Sequence, residues 1–224
     1  MEKIYASLIS GGKDSVYATY LAIKSGINVV YGINVIPKRD DSYMFHYPNA
    51  HLAPVITEAI GLKPVILEVS GEKEREVTEL RDFLRDLHVH GIIAGALASR
   101  YQKERLERIC KELNIELYAP LWGRDPIEHL KDIISAGFKV IIVGVYGLGL
   151  EDLLGVEIDE NVIERLVYIS RRYGIHTAGE GGEFETLVTD GPIFRRRIII
   201  ESYNIRKGLS WAYMIINKYK VIEK

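Results

Sequence analysis

The chain has 224 residues, of which 47% are hydrophobic and 27% are charged. These fractions are typical of a folded globular protein and exclude a disordered, collagen-like or coiled-coil chain. The 29 basic and 31 acidic residues leave a formal net charge of −2, so no overall field attracts the chain to nucleic acid or to an anionic membrane. The length suits one large α/β domain or a medium-sized domain with a smaller partner.

The single cysteine, Cys110, cannot form an internal disulfide or a CxxC pair, which is typical of a protein in a reducing cytosol. The longest uncharged apolar stretch, residues 140–150, is well short of the ~18 residues that a membrane helix needs. The first residues lack the basic start, apolar core and cleavage site of a signal peptide. We therefore expect a cytoplasmic protein that does not cross a membrane.

The first predicted elements along the chain form a βαβ unit. An apolar run at 4–9 predicts a strand, apolar residues at helical spacing follow at 14–24, and a β-branched run at 29–35 predicts a second strand. Residues 38–49 are polar and aromatic and show no periodicity.

The alternation of strand and helix continues to residue 119, which predicts a parallel, doubly wound α/β sheet. His88 and His90 are expected on one face of a strand, without an obvious third ligand for a metal site. The further predicted elements are helix 53–60, strand 64–69, helix 72–86, strand 91–95, helix 102–113 and strand 116–119.

The pattern changes after residue 121, and we place a domain boundary there, between domains of residues 1–121 and 122–224. The second domain is predicted to be a smaller α+β domain. Its predicted elements are helix 127–136, strand 139–145, a glycine-rich stretch at 144–155, helix 161–173, an acidic glycine loop at 179–185, and strands 196–202 and 211–221.

A glycine-rich segment joins the first predicted strand to the first predicted helix. Its glycines allow a tight turn that brings backbone N–H groups close to a ligand, and the helix start adds unsatisfied donors and the positive end of a dipole. Serine hydroxyls, a lysine and an aspartate that could bind Mg²⁺ complete an expected phosphate site. The spacing differs from that of a GxxxxGK[ST] P-loop, and the alternative is a structural turn in which Asp14 or Ser15 caps the helix. The six residues are Ser10, Gly11, Gly12, Lys13, Asp14 and Ser15.

This segment, SGGKDS, resembles the PP-loop of the N-type ATP pyrophosphatases, which split ATP between the α and β phosphates. Three further segments, at 41–49, 95–102 and 180–186, are similar to those of one branch of that superfamily, the diphthine–ammonia ligases. Two residues depart from the family pattern. Arg100 stands where an aspartate is expected, and Lys103 stands where an arginine is expected.

The resemblance implies an adenine nucleotide alpha hydrolase-like fold and an ATP-dependent ligation. ATP would adenylate the carboxylate of diphthine, a modified histidine on translation elongation factor 2, with release of pyrophosphate. Ammonia from ammonium would then displace AMP and form the amide, so catalysis would depend on positioning and charge stabilisation. The implied cofactors are ATP and Mg²⁺, and the implied partner is the elongation factor. No nucleic acid or membrane partner is expected, and a homo-oligomer is left open.

The resemblance also implies roles for residues of the first domain. The six PP-loop residues would hold the phosphates of ATP, with Lys13 and Asp14 catalytic and Asp14 also binding the Mg²⁺ that ATP carries. The chain near Ile33 and Asn34 would contact adenine, and Gly95 would pass near the α-phosphate. Both positions lie where open α/β sheets bind ligands.

The acidic loop places three glutamates within six residues, which is electrostatically costly unless a cation is bound. Since diphthine carries a trimethylammonium group, the resemblance implies that this loop binds that cation or orients ammonia, with nearby aromatic residues adding cation–π attraction. Glu183 and Glu185 are the catalytic candidates, and one of them could deprotonate ammonium. The alternative is a solvated turn in which Glu185 caps a neighbour. The implied substrate-binding residues here are Glu180, Gly181, Gly182, Glu183, Glu185 and Thr186.

Four more residues are candidates for substrate binding. His46 and Asn49 lie in the long polar loop after the second predicted strand, where they could equally be surface residues. Tyr101 and Gln102 could cap the following helix or reach the nucleotide.

Two other functions stay open at this point. A PP-loop ATP pyrophosphatase that modifies tRNA would need a basic surface and usually cysteine sulfur chemistry, so the near-neutral charge and the single cysteine count against it. A module that binds ATP without turnover would leave the acidic loop and the second domain unexplained.

Overall fold

The computed structural model describes residues 2–38 and 49–224, so the candidate residue His46 lies outside the described residues. The chain divides into two compact units, Met1–Trp122 (unit 1) and Gly123–Lys224 (unit 2). No α-helix in the two described ranges has both the length and the apolar composition needed to cross a membrane.

Unit 1 alternates strands and α-helices, as the sequence predicts. Apolar strand residues and the apolar stripes of the helices favour this layered arrangement. Its elements are β1 (Tyr5–Leu8), α1 (Lys13–Lys24), β2 (Val29–Pro37), α2 (Ala53–Ile60), β3 (Lys63–Val69), α3 (Arg75–Leu87), β4 (Gly91–Ile93), α4 (Arg100–Leu113) and β5 (Glu116–Tyr118).

The five strands of unit 1 form one parallel sheet in the order β3-β2-β1-β4-β5. The chain therefore builds outward from β1 to β3 on one side and then returns to add β4 and β5 on the other side. This reversal creates a topological switch point between the carboxyl ends of β1 and β4. Open α/β sheets bind their ligands at such a point.

The core of unit 1 includes a cluster that packs the sheet against α3 and α4. Ile33 of β2 and Ile92 of β4 are fully buried there, together with Leu80 of α3 and Leu106 of α4. Burying an aliphatic side chain of this size stabilises the fold by about 1.5–3 kcal/mol. The strands that end at the switch point are therefore held by apolar packing along their length.

Unit 2 contains an antiparallel sheet in the order β7-β6-β9-β8 and two α-helices that pack against each other. A parallel α/β sheet followed by an α+β unit confirms the predicted fold class. The elements of unit 2 are α5 (Pro126–Ser135), β6 (Lys139–Val145), a 3₁₀ turn (Glu151–Leu153), α6 (Glu160–Tyr173), β7 (Phe184–Asp190), β8 (Arg196–Lys207) and β9 (Ala212–Glu223).

Helix α6 precedes the acidic loop in the chain and ends at Tyr173. Its N-cap residue Asp159 accepts a hydrogen bond from the Val162 N–H at 2.8 Å. Its C-cap residue Gly174 has a φ of 73°, a left-handed conformation that glycine adopts without a steric penalty. This sharp ending sets the direction in which the chain enters the loop.

Two predictions of local structure are wrong. Strand β7 begins at Phe184, so Glu185 and Thr186 lie on a strand and not in a loop. The strand was not predicted because glycines and acidic residues precede it. His88 is the left-handed C-cap of α3, with a φ of 53°, and His90 precedes β4, with its Nδ1 accepting a hydrogen bond from the Ile4 N–H. The two histidines therefore do not share a strand face.

Candidate active site

The candidate phosphate loop lies between β1 and α1, at the switch point of the sheet. Gly11 has a φ of 89°, in the left-handed region, and Gly12 is the N-cap of α1. Glycine offers no side chain to cap the first helical turn, so a bound anion is a natural partner for the N–H groups of that turn. Neither Asp14 nor Ser15 is the N-cap residue, so the alternative of a helix capped by one of them is wrong.

Two serine hydroxyls hold this loop in shape. Ser15 Oγ accepts a hydrogen bond from the Ser10 N–H at 3.2 Å and donates one to the Gly12 carbonyl at 2.9 Å. Ser10 Oγ lies 3.1 Å from Ser15 Oγ and accepts a hydrogen bond from the Gly12 N–H at 3.3 Å. The hydroxyls predicted to bind phosphate thus stabilise the loop itself in this structure.

The charged residues of the loop form an ion pair. Lys13 Nζ lies 2.8 Å from Asp14 Oδ2, and the Lys13 side chain is only 4% exposed, against 23% for Asp14. A lysine buried to this degree needs a compensating charge, which the carboxylate supplies. Asp14 is the more accessible of the two, and its oxygens are the kind of ligand that Mg²⁺ prefers.

Gly95 packs directly against the start of α1. A Cβ atom at this position would lie 2.6 Å from the Asp14 carbonyl carbon and 2.7 Å from the Ser15 nitrogen. Only glycine therefore allows the segment after β4 to approach the loop this closely. The structure places Gly95 against the backbone at the start of α1, and its expected position near the α-phosphate stays a prediction.

Ile33 and Asn34 lie within β2 and are both fully buried. Asn34 Nδ2 donates hydrogen bonds to the Ile9 carbonyl and to Thr57 Oγ1, each at 2.9 Å. Among the described residues, Asn34 Oδ1 has no hydrogen-bond partner. The Asn34 side chain thus anchors the end of β1, one residue before the phosphate loop, and it is not exposed to a ligand.

Asn49 is also buried, with 6% of its surface exposed, and so it is not a surface loop residue. Its φ of 63° is left-handed, which asparagine tolerates better than most residues. Its carbonyl accepts a hydrogen bond from the Leu52 N–H at 2.9 Å. Asn49 therefore shapes the turn that leads into α2.

Tyr101 and Gln102 lie in the first turn of α4, whose N-cap is Ser99. Ser99 Oγ accepts the Gln102 N–H at 3.4 Å. The Tyr101 ring is covered by the Arg105 guanidinium, 3.4 Å from the ring centroid, and the Lys73 ammonium lies 5.2 Å from the same centroid. The Tyr101 hydroxyl donates a hydrogen bond to Glu74 Oε1 at 3.4 Å, and Glu74 also pairs with Arg105, so Tyr101 belongs to a mixed cluster of cations and a carboxylate on unit 1.

In unit 2 the acidic loop is organised around the Glu183 carboxylate. Glu183 Oε1 accepts the His176 N–H at 2.6 Å, and Glu183 Oε2 accepts the Gly181 N–H at 2.9 Å. His176 Nδ1 in turn accepts hydrogen bonds from the N–H groups of Ala178 and Glu180. Glu183 therefore closes the loop from inside, and its charge is stabilised by backbone donors.

Glu185 and Thr186 lie beyond this loop, on β7, where they pair with Gly144 and Ile142 of β6. Burial first, and the neighbouring Glu185 charge second, raise the pKa of the Tyr146 hydroxyl well above its usual range. Tyr146 thus remains a neutral phenol. The structure gives different positions to the two glutamates that flank Phe184 in the motif: Glu183 closes the loop and Glu185 lies on the sheet.

Three further residues contact the predicted site residues but were not predicted from the sequence. Thr57 is an ordinary polar position in a helix, and His176 precedes the motif without a metal-binding spacing. Tyr146 becomes relevant only through the pairing of β6 with β7. None of the three carries a local sequence signal, because each depends on tertiary contacts.

A parallel sheet with a glycine-rich loop at its switch point defines unit 1 as a nucleotide-binding α/β domain. The chain matches the family model described as the diphthamide synthase N-terminal domain over residues 3–117. It also matches the model of the diphthamide synthase C-terminal domain over residues 125–222. The chain belongs to the diphthamide synthase family, which confirms the family resemblance of its motifs.

Named relatives are similar over most of the chain. The diphthine–ammonia ligase of Bos taurus is 34% identical, and the match covers 89% of this chain and 84% of that protein. The human diphthine–ammonia ligase is 33% identical with the same coverage. A solved structure of a predicted tRNA methyltransferase subunit from Methanocaldococcus jannaschii is 16% identical, over 86% of this chain and 98% of that one, with a TM-score of 0.46. A TM-score this low supports no conclusion about function.

Proposed function

We propose that this chain is a diphthine–ammonia ligase, an ATP-dependent enzyme that converts the carboxylate of diphthine to an amide. The observation that carries the proposal is that both halves of the chain match the diphthamide synthase family, at residues 3–117 and 125–222. The protein substrate is translation elongation factor 2 bearing diphthine, and ammonium is the nitrogen source. The reaction takes place in the cytoplasm, where the elongation factor works.

Unit 1 binds ATP through residues 10–15. The start of α1 and the Lys13 ammonium provide positive potential for the phosphates, and the close approach at Gly95 keeps side chains away from the loop. Asp14 would hold Mg²⁺, which neutralises negative charge on the phosphates when bound. Ile33 and Asn34 support this site from the core by fixing the end of β1.

The reaction has two steps. A carboxylate oxygen of diphthine attacks the α-phosphorus of ATP, the bond to the pyrophosphate oxygen breaks, and an acyl-adenylate forms. Ammonia then attacks the acyl carbon, AMP leaves with the bonding electrons, and the ammonium proton passes to a base. The protein supplies no covalent nucleophile in this scheme, so its contribution is orientation and charge stabilisation.

Most of the proposed substrate residues belong to unit 2. Glu183 keeps the loop of Glu180, Gly181 and Gly182 in shape through its backbone hydrogen bonds, and this position makes it a candidate for orienting ammonia. Glu185 is partly exposed on β7 next to Thr186 and is the candidate base or cation ligand. Asn49, Tyr101 and Gln102 are proposed as further substrate-side positions.

The test is incubation with Mg-ATP, ammonium and diphthine-bearing elongation factor, with measurement of AMP, pyrophosphate and the mass of the factor. We expect AMP and pyrophosphate in equal amounts, and conversion of the carboxylate to an amide. The Asp14→Ala variant should lose at least about a hundredfold in rate, on the scale of removing one electrostatic catalytic group. Asp152→Ala, which changes an exposed aspartate on unit 2, should retain the rate. Nucleotide binding without AMP or amide formation would refute the proposal.

A further inference from the structure

Strand β8 is an edge strand of the sheet of unit 2. It pairs with β9 along one side and ends the strand order β7-β6-β9-β8. In the two described ranges no strand pairs with its other side. Residues 201–207 of this strand are all exposed, so the backbone donors and acceptors along its open side are accessible to another chain.

The open strand also exposes apolar side chains. Tyr203 and Ile205 lie opposite Ile216 and Met214 of β9 and therefore share their face of the sheet. The two β9 residues are buried, whereas Tyr203 is 49% exposed and Ile205 is 53% exposed. The apolar face of this hairpin thus continues past the core of unit 2 and is uncovered at the edge. Three more large apolar residues of the hairpin are exposed: Ile199, Leu209 and Trp211.

The charge of this hairpin is opposite in sign to that of the whole chain. Residues 195–224 carry eight basic and two acidic side chains, whereas the chain has a formal net charge of −2. Glu201, in the middle of β8, pairs with Lys218 at 3.1 Å and with Lys220, so the middle of the hairpin is partly neutralised. Among the described residues, four cations near the two ends of β8 make no ion pair: Arg195, Arg197, Arg206 and Lys207.

These cations oppose the pairing of β8 with a second copy of itself. An antiparallel pair of identical strands about a two-fold axis brings the start of one strand against the end of the other. Arg197 of one copy would then lie near Arg206 and Lys207 of the other, and like charges placed opposite each other destabilise a strand pair. The charge at both ends of the edge therefore favours an acidic occupant over a second copy of the chain.

We infer that the open edge of β8 binds an extended polypeptide segment in which acidic residues flank alternating apolar and polar side chains. The segment adds a strand to the sheet: its backbone bonds to the edge, its apolar side chains cover Tyr203 and Ile205, and its carboxylates meet the cations at the two ends. The protein substrate carries this segment, and that identity rests on the proposed function. Single-stranded RNA would neutralise the cations, but it has no amide groups to continue the strand ladder.

The test uses a fluorescein-labelled peptide with two glutamates at each end and alternating valine and threonine between them, and follows its fluorescence anisotropy on the intact protein. We expect Ile205→Thr and Lys207→Glu each to weaken binding by about five- to tenfold, and the loss in Lys207→Glu to shrink as salt is added. Threonine keeps the β-branch that suits a strand, so Ile205→Thr changes mainly the apolar contact. Thermal melting checks that each variant is folded.

Ile66→Thr is the matched control. Ile66 is also 53% exposed, and it lies on β3, an edge strand of the sheet of unit 1. Near it on this strand, Glu68 forms an ion pair with Lys38, so this edge lacks the uncompensated cations of β8. The Ile66→Thr variant should bind the peptide as the parent protein does.

Several outcomes would overturn the inference. They are no binding of the peptide to the parent protein, equal binding by Ile205→Thr, and equal binding of the same peptide with alternate amides N-methylated, which removes the donors of a strand ladder. Tighter binding of a uridine oligonucleotide than of the peptide would assign the edge to RNA instead. A parent dimer in sedimentation that Ile205→Thr dissociates would assign it to self-association.

The peptide assay needs neither ATP nor ligation, so its result is independent of the activity assay. With the diphthine-bearing factor, Lys207→Glu should raise KM about five- to tenfold at unchanged kcat and unchanged ATP affinity, as expected for a surface remote from the reacting atoms. An unchanged KM would refute docking of the substrate at this edge. Peptide binding without amide formation by the parent protein would count against the ligase alone.

Discussion

In the glycine-rich loops of both units, side chains accept hydrogen bonds from backbone N–H groups. The two loops differ in the chemical group that accepts these bonds and closes the loop. In the loop at 10–15, neutral serine hydroxyls accept backbone N–H groups. In the loop at 179–183, the carboxylate of Glu183 accepts them. The first loop also carries a lysine and a helix N-terminus, whereas the second lies beside another glutamate on β7.

This difference decides the sign of the charge that each region can accept. Neutral closing groups add no negative charge at the start of α1 beyond the Asp14 carboxylate that pairs with Lys13, and this suits phosphate. A carboxylate closing group uses up backbone donors and adds negative charge, which suits a cation. Glycine content alone therefore does not identify an anion site, and the chemistry of the closing side chain must be considered with it.

The largest expected effect is a loss of ATP affinity in the Gly95→Ala variant, which changes unit 1 only. In Gly95→Ala the new Cβ would collide with the backbone of residues 14–15, which no side-chain rotation can relieve. Overpacking of this kind costs about 1–3 kcal/mol, so ATP affinity should fall roughly five- to a hundredfold. Isothermal titration calorimetry with ATP measures this loss of affinity.

Gly26→Ala is the control for this prediction. Gly26 has a φ of 81° and no heavy atom within 4 Å of an added Cβ, so the substitution strains the backbone but touches nothing. It should lower stability by about 1 kcal/mol and leave ATP affinity unchanged. Equal ATP affinity in Gly95→Ala and the parent would mean that the contact with α1 does not set the shape of the phosphate loop.

The next effect concerns Glu183. Glu183→Ala removes the acceptor of two backbone hydrogen bonds, each of the charge-assisted kind worth about 1.5–3 kcal/mol. Because the loop is partly exposed, we expect a net loss of about 2 kcal/mol in the unfolding free energy of unit 2. Ligation should fall while ATP binding stays at the parental level.

Glu183→Gln keeps one carbonyl oxygen and should recover part of that stability. Chemical denaturation of the three proteins, with ATP titrations in parallel, makes the comparison. A Glu183→Ala protein that unfolds like the parent would show that the two hydrogen bonds do not organise the loop.

The smallest expected effect concerns the reaction rate of the Cys110 thiol, which should stay near zero in the folded protein. Burial first, and the neighbouring Glu107 charge second, raise the pKa of the Cys110 thiol to about 12, from 9.0 for an exposed thiol. At about pH 8 the thiol of folded unit 1 should therefore resist Ellman's reagent and react only when the unit opens. Gly95→Ala should speed this reaction and Glu183→Ala should not, provided that the units open independently.

The raised pKa of Cys110 also determines the direction in which the stability of unit 1 changes with pH. Above about pH 9 the unfolded thiol ionises while the folded thiol stays protonated, so unit 1 loses stability as the pH rises from there towards 12. Rapid modification of Cys110 in the parent protein at about pH 8 would contradict the burial of this residue.

The sequence predicted the parts of the molecule that depend on local patterns. Strand and helix periods were sufficient for the α/β fold of unit 1 and for the position of the SGGKDS segment between β1 and α1, whereas its role in binding phosphate stays a prediction. Strand β7 was missed because its first residues belong to an acidic, glycine-rich motif. The roles of Asn34 and Tyr146 depend on which strands and helices lie beside them, and that pairing has no signature in the sequence.

The serine hydrogen bonds of the phosphate loop have a consequence for the thermodynamics of nucleotide binding. The hydrogen bonds that close the turn run between groups of the loop itself and need no ligand atom. Little conformational entropy then remains to be lost on binding, since ordering a flexible backbone costs about 1–2 kcal/mol per residue. Unit 1 should accordingly bind nucleotide at a preorganised loop. The association rate should be limited by diffusional encounter more than by folding of the loop.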